Sequence, residues 1–359
     1  MVIGLVGTLS TMMFNNAYAG EDVIEDPTPF GLLHMWTTVY DMDENEVADP
    51  AGYGDPEDDI GFKLRRARVG IGASGEQSKY RVSVGMSSPF DATFNRGSTD
   101  IDLVDAYFAW KAQKSIWIVA GVQKIPISRE QIMSSSDLVL AERAVSSIWL
   151  VPNREVGLLG DYTLDMNKAK INVQAGIFNG NGSLTGDDNS GKMAAARVEY
   201  VLGEGAYETH GTVNGLVVGL AFDGFLNQDV ATQEQGYGSD LIVRAGALSV
   251  LGEFRMKTLA PGNTGIDTPA VLSETNQIGY LAQIGYSVGS FEPAIRYSFF
   301  DDNIDIDNAG QGQEVTAGLT WHNKTDSIRV GGSYVLRLEE ETYAVSNDTA
   351  RLWMMLRYK

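Results

Sequence analysis

Arginines at alternating positions are the residues of this chain whose type and spacing suggest a chemistry. Arg66 and Arg68 stand two residues apart and alternate with apolar residues, and Arg81 follows the same rule in the next segment. Positions two apart in a β-strand share a face. A guanidinium is planar and permanently charged, and it binds phosphate or carboxylate oxygens through two parallel hydrogen bonds. These three residues therefore predict a surface that binds small anions.

Covalent and acid–base chemistry has little support in the sequence. The chain has no cysteine and only three histidines, His34, His210 and His322. No Ser/His/Asp spacing singles out one of them as a general base. We expect no catalytic residue, no metal site and no cofactor, and an enzyme built on a barrel stays open as the alternative from another class.

The elements that must position the arginines are alternating segments between Phe30 and Tyr358. Alternation with breaks at Gly, Asn, Asp and Pro predicts about 16 strands. They are predicted at 30–40, 61–74, 79–88, 101–111, 115–123, 155–164, 169–178, 192–202, 214–225, 240–248, 250–258, 275–287, 290–300, 313–322, 327–338 and 349–358. The connections between them alternate between short and long, and the long connection 203–213 is the exception.

Strands that are apolar on one face and polar on the other, with unequal connections, are typical of a transmembrane β-barrel. We therefore predict an all-β fold, a closed antiparallel transmembrane barrel in the outer membrane of a Gram-negative bacterium, surrounded by lipid and lipopolysaccharide. Soluble strands are usually about 5–6 residues long, which is shorter than segments such as 61–74. A soluble sandwich or propeller remains the alternative.

A leader is predicted before the barrel. The apolar run Val2–Phe14 precedes the small-x-small triplet at Ala17–Ala19, which indicates a signal peptide over 1–19, although no Lys or Arg stands near Met1. Residues 20–359 would then form a single barrel domain. No other segment approaches the roughly 20 apolar residues of a membrane helix.

Charge separates the outer loops from the pore wall. The net charge of −20 argues against nucleic acid as a partner. Alternation nevertheless places more bases than acids inside: Lys111, Arg197, Arg244, Arg255, Lys257, Arg296, Arg329, Arg337, Arg351 and Arg357, against Asp105, Asp161, Glu199, Asp223, Glu253, Glu292 and Glu314. A cationic wall favours anions. The alternative stays open that each arginine pairs with an inward acid and that these pairs only keep the lumen hydrated. It is weakest for Arg66 and Arg68, whose strand holds no acid, while Arg65 points outward by alternation.

The connection 124–154 is long but rich in apolar residues, among them Leu138, Val139 and Leu140. Such a loop is unfavourable in water unless it packs on something, so we expect it to fold inward as a constriction. A short helix is predicted between Ser136 and Ser147.

Several motifs together resemble the phosphate-selective porin O and P family. They are Leu64–Arg68, Leu103–Tyr107, Gly121–Glu130, Ala141–Arg143, Pro152–Gly157 and Gly176–Gly180. The resemblance implies a trimeric sixteen-strand barrel with an arginine-lined anion path, to which Arg66 and Arg68 correspond, and a lysine at the start of the constriction, which corresponds to Lys124. Arg129, Arg143 and Arg154 lie within these motifs and complete the predicted binding residues. The acidic stretch 41–60 and the final Lys359 depart from the family pattern.

The sequence thus predicts a porin, a passive diffusion channel for small anions such as phosphate or polyphosphate. A general non-selective porin and a plugged structural barrel are the alternatives.

Overall fold

The computed structural model describes residues 26–41, 60–87, 101–182, 190–228, 232–262, 273–308, 310–338 and 348–358. The predicted signal peptide and nearly all of the acidic stretch 41–60 lie outside these residues.

The described residues form one closed barrel of 16 antiparallel strands, in which each strand pairs with its neighbours in sequence and β1 pairs with β16. Their bounds are β1 Thr28–Asp41, β2 Gly61–Ser74, β3 Ser78–Ser87, β4 Asp102–Gln113, β5 Ile116–Lys124, β6 Arg154–Met166, β7 Ala169–Phe178, β8 Met193–Leu202, β9 Leu216–Gln228, β10 Thr232–Ala245, β11 Leu248–Pro261, β12 Thr275–Tyr286, β13 Phe291–Asp301, β14 Gln311–His322, β15 Ile328–Arg337 and β16 Thr349–Tyr358. The predicted fold class is confirmed.

The largest boundary error concerns β10, which begins at Thr232 instead of 240. Its glycines suggest a turn in the sequence, but in the structure they make room for neighbouring side chains. A Cβ on Gly236 would lie 2.3 Å from the Phe225 ring, and one on Gly238 would lie 2.8 Å from a nitrogen of Arg255. These glycines therefore belong to the strand and allow close packing rather than a break.

Burial alternates along the strands as the sequence predicts. In β8, Arg197 is 1% exposed, whereas its neighbour Val198 is 50% exposed. Phe222 in β9 and Leu158 in β6 are similarly exposed on the outer surface. An apolar outer face suits contact with lipid, and the buried polar face lies inside the barrel. A closed barrel can stand in lipid because its strands satisfy one another's backbone hydrogen bonds. No helix within the described ranges is long and apolar enough to cross a membrane.

The two ends of the barrel differ. We call the end formed by connections such as 75–77, 167–168 and 246–247 the turn end, and the opposite end the loop end. The connection 203–215 between β8 and β9 is long although it lies at the turn end, as the sequence indicates.

Segment 125–153 leaves β5 at the loop end and returns to β6. It holds α1 (Arg129–Ile132), a 3-10 turn (Ser135–Asp137) and α2 (Val145–Trp149). The helix predicted between Ser136 and Ser147 is therefore wrong for 138–144. Wall side chains satisfy the backbone there: Arg329 donates to the carbonyl of Leu138 at 3.2 Å and Thr320 to that of Val139 at 2.9 Å. An extended backbone with such partners needs no helical hydrogen bonds.

The buried apolar side chains gather where segment 125–153 packs against the strands. Ile125 and Ile127 contact Phe178 and Phe225, while Val145 and Leu150 contact Phe300. The apolar content of this segment is therefore used in packing against the barrel wall.

Candidate functional site

Arg65 does not point outward as strict alternation predicts. The pairing of β2 with β1 shifts between His34 and Met35, whose partners are Arg66 and Leu64, so Arg65 occupies a β-bulge. A bulge inserts one extra residue and redirects side chains. Arg65 and Arg66 are consequently both buried, at 7% and 4% exposure, and that prediction for Arg65 is wrong.

An acid from segment 125–153 neutralises both arginines. Glu142 accepts from Arg65 Nε at 2.9 Å and from the two terminal nitrogens of Arg66 at 2.7 and 2.8 Å. Burial alone would favour the neutral acid, but the two guanidinium groups hold the pKa of Glu142 well below its usual range. The expectation that Arg66 lacks a neighbouring acid is therefore wrong, because that acid is remote in sequence.

Four other predicted residues, Arg68, Lys124, Arg143 and Arg154, lie close enough for their charges to act on one another, and we call them the cationic cluster. Asp105 is the acid that acts on Arg68 and on Lys124. It accepts from Arg154 Nε at 2.9 Å, and Arg81 lies 3.5 Å from its other oxygen. The structure thus brings predicted residues from β2, β3, β5 and β6 to one side of the lumen.

Arg68 is the residue of this cluster that stands out. It is half-buried, and no hydrogen bond or ion pair joins it to any other residue that the structure describes. Its stem crosses Gly85 of β3, where an added Cβ would lie 2.7 Å from Arg68 Cγ. A guanidinium in this state has all its donors available to a dissolved anion.

Lys124 has a different environment. Its ammonium donates to the carbonyls of Gln131, Ile132 and Met133 at 2.8, 3.0 and 2.7 Å. An ammonium has three donors, so all are used on the backbone of segment 125–153. Arg143 similarly donates to the carbonyls of Glu130 and Met133, at 3.0 and 2.8 Å. Burial and the charge of Arg66 lower the pKa of Arg143 to about 10, so it stays charged at neutral pH.

Arg129 lies against another wall. It is fully buried, donates to Asp240 of β10 at 2.8 Å, and donates to the carbonyl of Ala206 at 2.9 Å. Its Nη2 also contacts Glu199 of β8. The structure thus does not bring Arg129 together with the cationic cluster.

Two residues that hold this contact, Ser128 and Asp240, were missed by sequence reasoning, whereas Arg197 was correctly placed on the inner wall. Arg197 bridges Asp223 and Asp240 at 2.8 and 2.6 Å, and Ser128 donates to Glu253 at 2.6 Å. Ser128 adopts a φ of 62°, a region that non-glycine residues rarely occupy. Alternation identifies the inward acids Asp223 and Glu253, but Asp240 stands at the misplaced start of β10.

The tip of segment 125–153 reaches the turn end. Asp137 accepts from Arg357 of β16 at 3.0 Å, and its carbonyl accepts from the backbone N–H of Thr209 at 3.1 Å. The Thr209 hydroxyl in turn accepts from the N–H of Val139 at 3.0 Å. The connection 203–215 therefore holds the tip through backbone and side-chain contacts.

His34 is buried edge-on against Trp36 and Trp353, and its Nδ1 lies 3.2 Å from Arg66. Within the described part of the chain no group of three His, Asp or Glu side chains is arranged to hold a metal ion.

A closed sixteen-strand barrel with an apolar outer surface and a charged interior defines an integral β-barrel of the outer membrane, and the protein is a porin. The resemblance to the phosphate-selective porin O and P family is confirmed, because the model of that family matches residues 41–217. No curated protein sequence matches the chain.

Three solved structures share the barrel fold. The outer-membrane channel DcaP of Acinetobacter baumannii is 11% identical, with a TM-score of 0.56 over 93% of this chain and 97% of that one. OmpF of Salmonella typhi, in complex with daunomycin, is 12% identical, with a TM-score of 0.58 over 94% and 98%. OprB of Pseudomonas putida is 11% identical, with a TM-score of 0.57 over 93% and 94%.

Proposed function

We propose that the protein is a passive diffusion porin that prefers small anions, phosphate among them, and performs no chemical reaction. The observation that carries this proposal is the cationic cluster, in which Asp105 is the acid that acts on Arg68 and Lys124, while Glu130 and Glu142 act on Arg143. Fixed charge in a confined lumen raises the local concentration of ions of opposite sign. Arg68 is the contact residue, while Lys124, Arg143 and Arg154 supply charge.

We further propose that segment 125–153 is the constriction of this pore. Contacts from its residues to β2, β10, β13 and β16 support a course across the lumen. An anion would then pass between this segment and the wall of β2–β6. We infer a homotrimer in lipid and lipopolysaccharide from the family resemblance, and cleavage after Ala19 from the small-x-small triplet at Ala17–Ala19.

A salt gradient across a planar bilayer tests the selectivity. With dilute and concentrated KCl on the two sides, the sign of the reversal potential should show chloride preference, and phosphate should block part of the chloride current. A reversal potential whose sign indicates preference for potassium over chloride would contradict the proposal.

A plugged structural barrel is the second candidate. The contacts of segment 125–153 from Lys124 at the loop end to Thr209 at the turn end favour it. The same bilayer separates the two, because a plugged barrel inserts without conductance steps.

A further inference from the structure

A cavity at the loop end has a volume of about 280 Å³. It is lined by the return of segment 125–153 to β6 and by β8–β11, where Glu155, Glu234 and Lys257 contribute charge. The other cavity, between segment 125–153 and β13–β16, has about 20 Å³ and holds no more than a water or two. Of these two cavities, the one at the loop end has room for a small organic solute.

Two residues that line this cavity each carry a buried polar atom with no hydrogen-bond partner among the described residues. Asn227 is 7% exposed and its Oδ1 accepts no hydrogen bond, and Thr232 is 9% exposed with an equally unpartnered hydroxyl. A buried polar atom without a hydrogen bond destabilises the folded protein. Both residues line the cavity, so a small side-chain rotation would let these atoms accept hydrogen bonds from a solute with donors.

The carboxylates of the cavity are not equivalent. Glu155 accepts from the backbone N–H groups of Gly180 and Gly182 at 3.1 and 3.0 Å. Glu234 has no hydrogen bond to any residue in the described ranges, and its charge acts on both Glu155 and Lys257. Glu234 is therefore the carboxylate available to a ligand.

Lys257 is the basic residue among the described residues that line this cavity. The Lys257 ammonium donates to the carbonyl of Trp149 at 3.1 Å. Because an ammonium has three donors, it retains donors for a carboxylate. Trp149, Val151 and Met193 add apolar surface to the same cavity.

We propose that this cavity binds a small zwitterion, an α-amino acid with an apolar side chain. Glu234, Asn227 and Thr232 receive its ammonium group, and Lys257 receives its carboxylate. The apolar wall contacts the side chain. This site is separate from the cationic cluster and has the opposite net charge, so it selects a different class of solute.

Equilibrium dialysis of the detergent-solubilised full chain tests the assignment with three solutes of similar shape. L-leucine carries both charges, 3-methylbutylamine only the ammonium, and 4-methylpentanoate only the carboxylate. Leucine should bind about tenfold more tightly than either analogue, the effect of one charge-assisted hydrogen bond. Binding of the amine as tight as that of leucine, or no saturable binding of leucine, would overturn the proposal.

Variants assign the two charges. Glu234→Gln should abolish the preference for leucine over the carboxylate, and Lys257→Met the preference for leucine over the amine. Asp161→Asn and Lys111→Met, which lie elsewhere on the inner wall, are the matched controls. Equal losses in all four variants would refute the assignment. Because dialysis needs no current, and Arg68→Gln should leave leucine binding unchanged, failure here is distinguishable from failure of the anion-channel proposal.

Discussion

At the residue scale, the basic side chains of the lumen differ in the partners that they bind, and these partners matter more than the number of positive charges. Arg66 and Arg129 are fully engaged with acids, Lys124 is engaged with backbone carbonyls, and Arg68 is the cluster member without a described partner. A buried ion pair is weak support for stability but costly to break, because the remaining charge is left uncompensated. Arg68 should therefore control anion passage, whereas the paired residues should control structure.

Arg68→Gln should reduce anion preference several-fold without unfolding the barrel. The substitution removes a charge that forms no ion pair within the described residues, although Asp105 lies near enough to act on it, and it keeps a shorter polar side chain. Reversal potential in a KCl gradient and phosphate block of the chloride current measure the effect. Arg129→Gln is the contrasting variant, which should weaken folding more than it changes selectivity. An unaltered reversal potential in Arg68→Gln would remove this residue from the filter.

Glu142→Gln should destabilise the protein and raise anion preference together. Two buried guanidinium groups lose their counter-charge, which costs about 3–5 kcal/mol when a buried pair is broken, and Arg66 becomes an additional positive charge. Denaturant unfolding measures the first effect and reversal potential the second. Asp161→Asn, whose acid accepts from Asn172 and Gln174 amides, is the control. Unchanged stability would show that Glu142 is dispensable for the packing of segment 125–153.

At the element scale, segment 125–153 is held at several points. α1 is bound by β8–β11 through Arg129 and Ser128, the turn after α1 by Lys124, and the tip by the connection 203–215. Because these contacts involve strands far apart in sequence, the segment joins walls that are otherwise connected only through the sheet. Its removal should widen the lumen while the strand hydrogen bonds persist.

Deletion of residues 130–148 should raise single-channel conductance, because the proposed constriction disappears. The size of the conductance steps in KCl measures the single-channel conductance of the deletion variant. Circular dichroism verifies that the variant keeps its β content. A milder variant, Lys124→Met, removes only the three carbonyl contacts and should increase current noise before it changes mean conductance. A folded deletion variant with normal conductance would place the segment outside the ion path.

The connection 203–215 should loosen in mild acid. Burial lowers the pKa of His210, which faces the charged groups Asp137, Glu208, Glu292, Asp326 and Arg329. In the unfolded chain the pKa of a histidine is about 6.5. Because folding lowers the pKa of His210, this histidine stabilises the folded connection when the pH is above the unfolded pKa. The contribution is lost as pH falls through the two pKa values, because the unfolded form binds the proton more readily. Hydrogen exchange at the Thr209 and Val213 amides should therefore be faster at pH of about 5 than at neutral pH, after correction for the intrinsic pH dependence of amide exchange. His210→Gln should show no such step.

At the scale of the whole molecule, the closed barrel and its apolar outer surface decide where the protein resides. Each of the 16 described strands has two paired neighbours, so the described sheet has no open edge. The protein should be rich in β structure and extractable only with detergent. A helical circular-dichroism spectrum or a soluble monomer without detergent would contradict this description.

Phe222→Arg on the outer surface of β9 should lower the free energy of unfolding in lipid by about 2–4 kcal/mol, the cost of an arginine near the bilayer midplane. Phe222 is 63% exposed and lies in the middle of its strand. Denaturant unfolding in lipid vesicles measures the difference, and Phe222→Leu is the control. Equal stability of the two variants would mean that this face does not contact the hydrocarbon.

The sequence by itself determined the strands, their inward faces and the compartment, because a period of two is a local property of the chain. The alternation placed Arg68, Arg197 and Arg255 inside correctly, with β10 as the main error in boundaries. The motifs around Lys124 and Arg154 also predicted residues that the structure brings together.

Only the tertiary structure decided which charges are neutralised. The acid for Arg66 comes from Glu142, which is 76 residues away, and the acid for Arg129 comes from Asp240, which is 111 residues away. The bulge at Arg65 shifts the alternation of β2 by one residue. In segment 125–153, a hydrogen bond from Arg329 on the barrel wall satisfies a backbone carbonyl where a helix was predicted. These outcomes depend on contacts between distant segments across the barrel, and such contacts leave no period in the sequence from which they could be predicted.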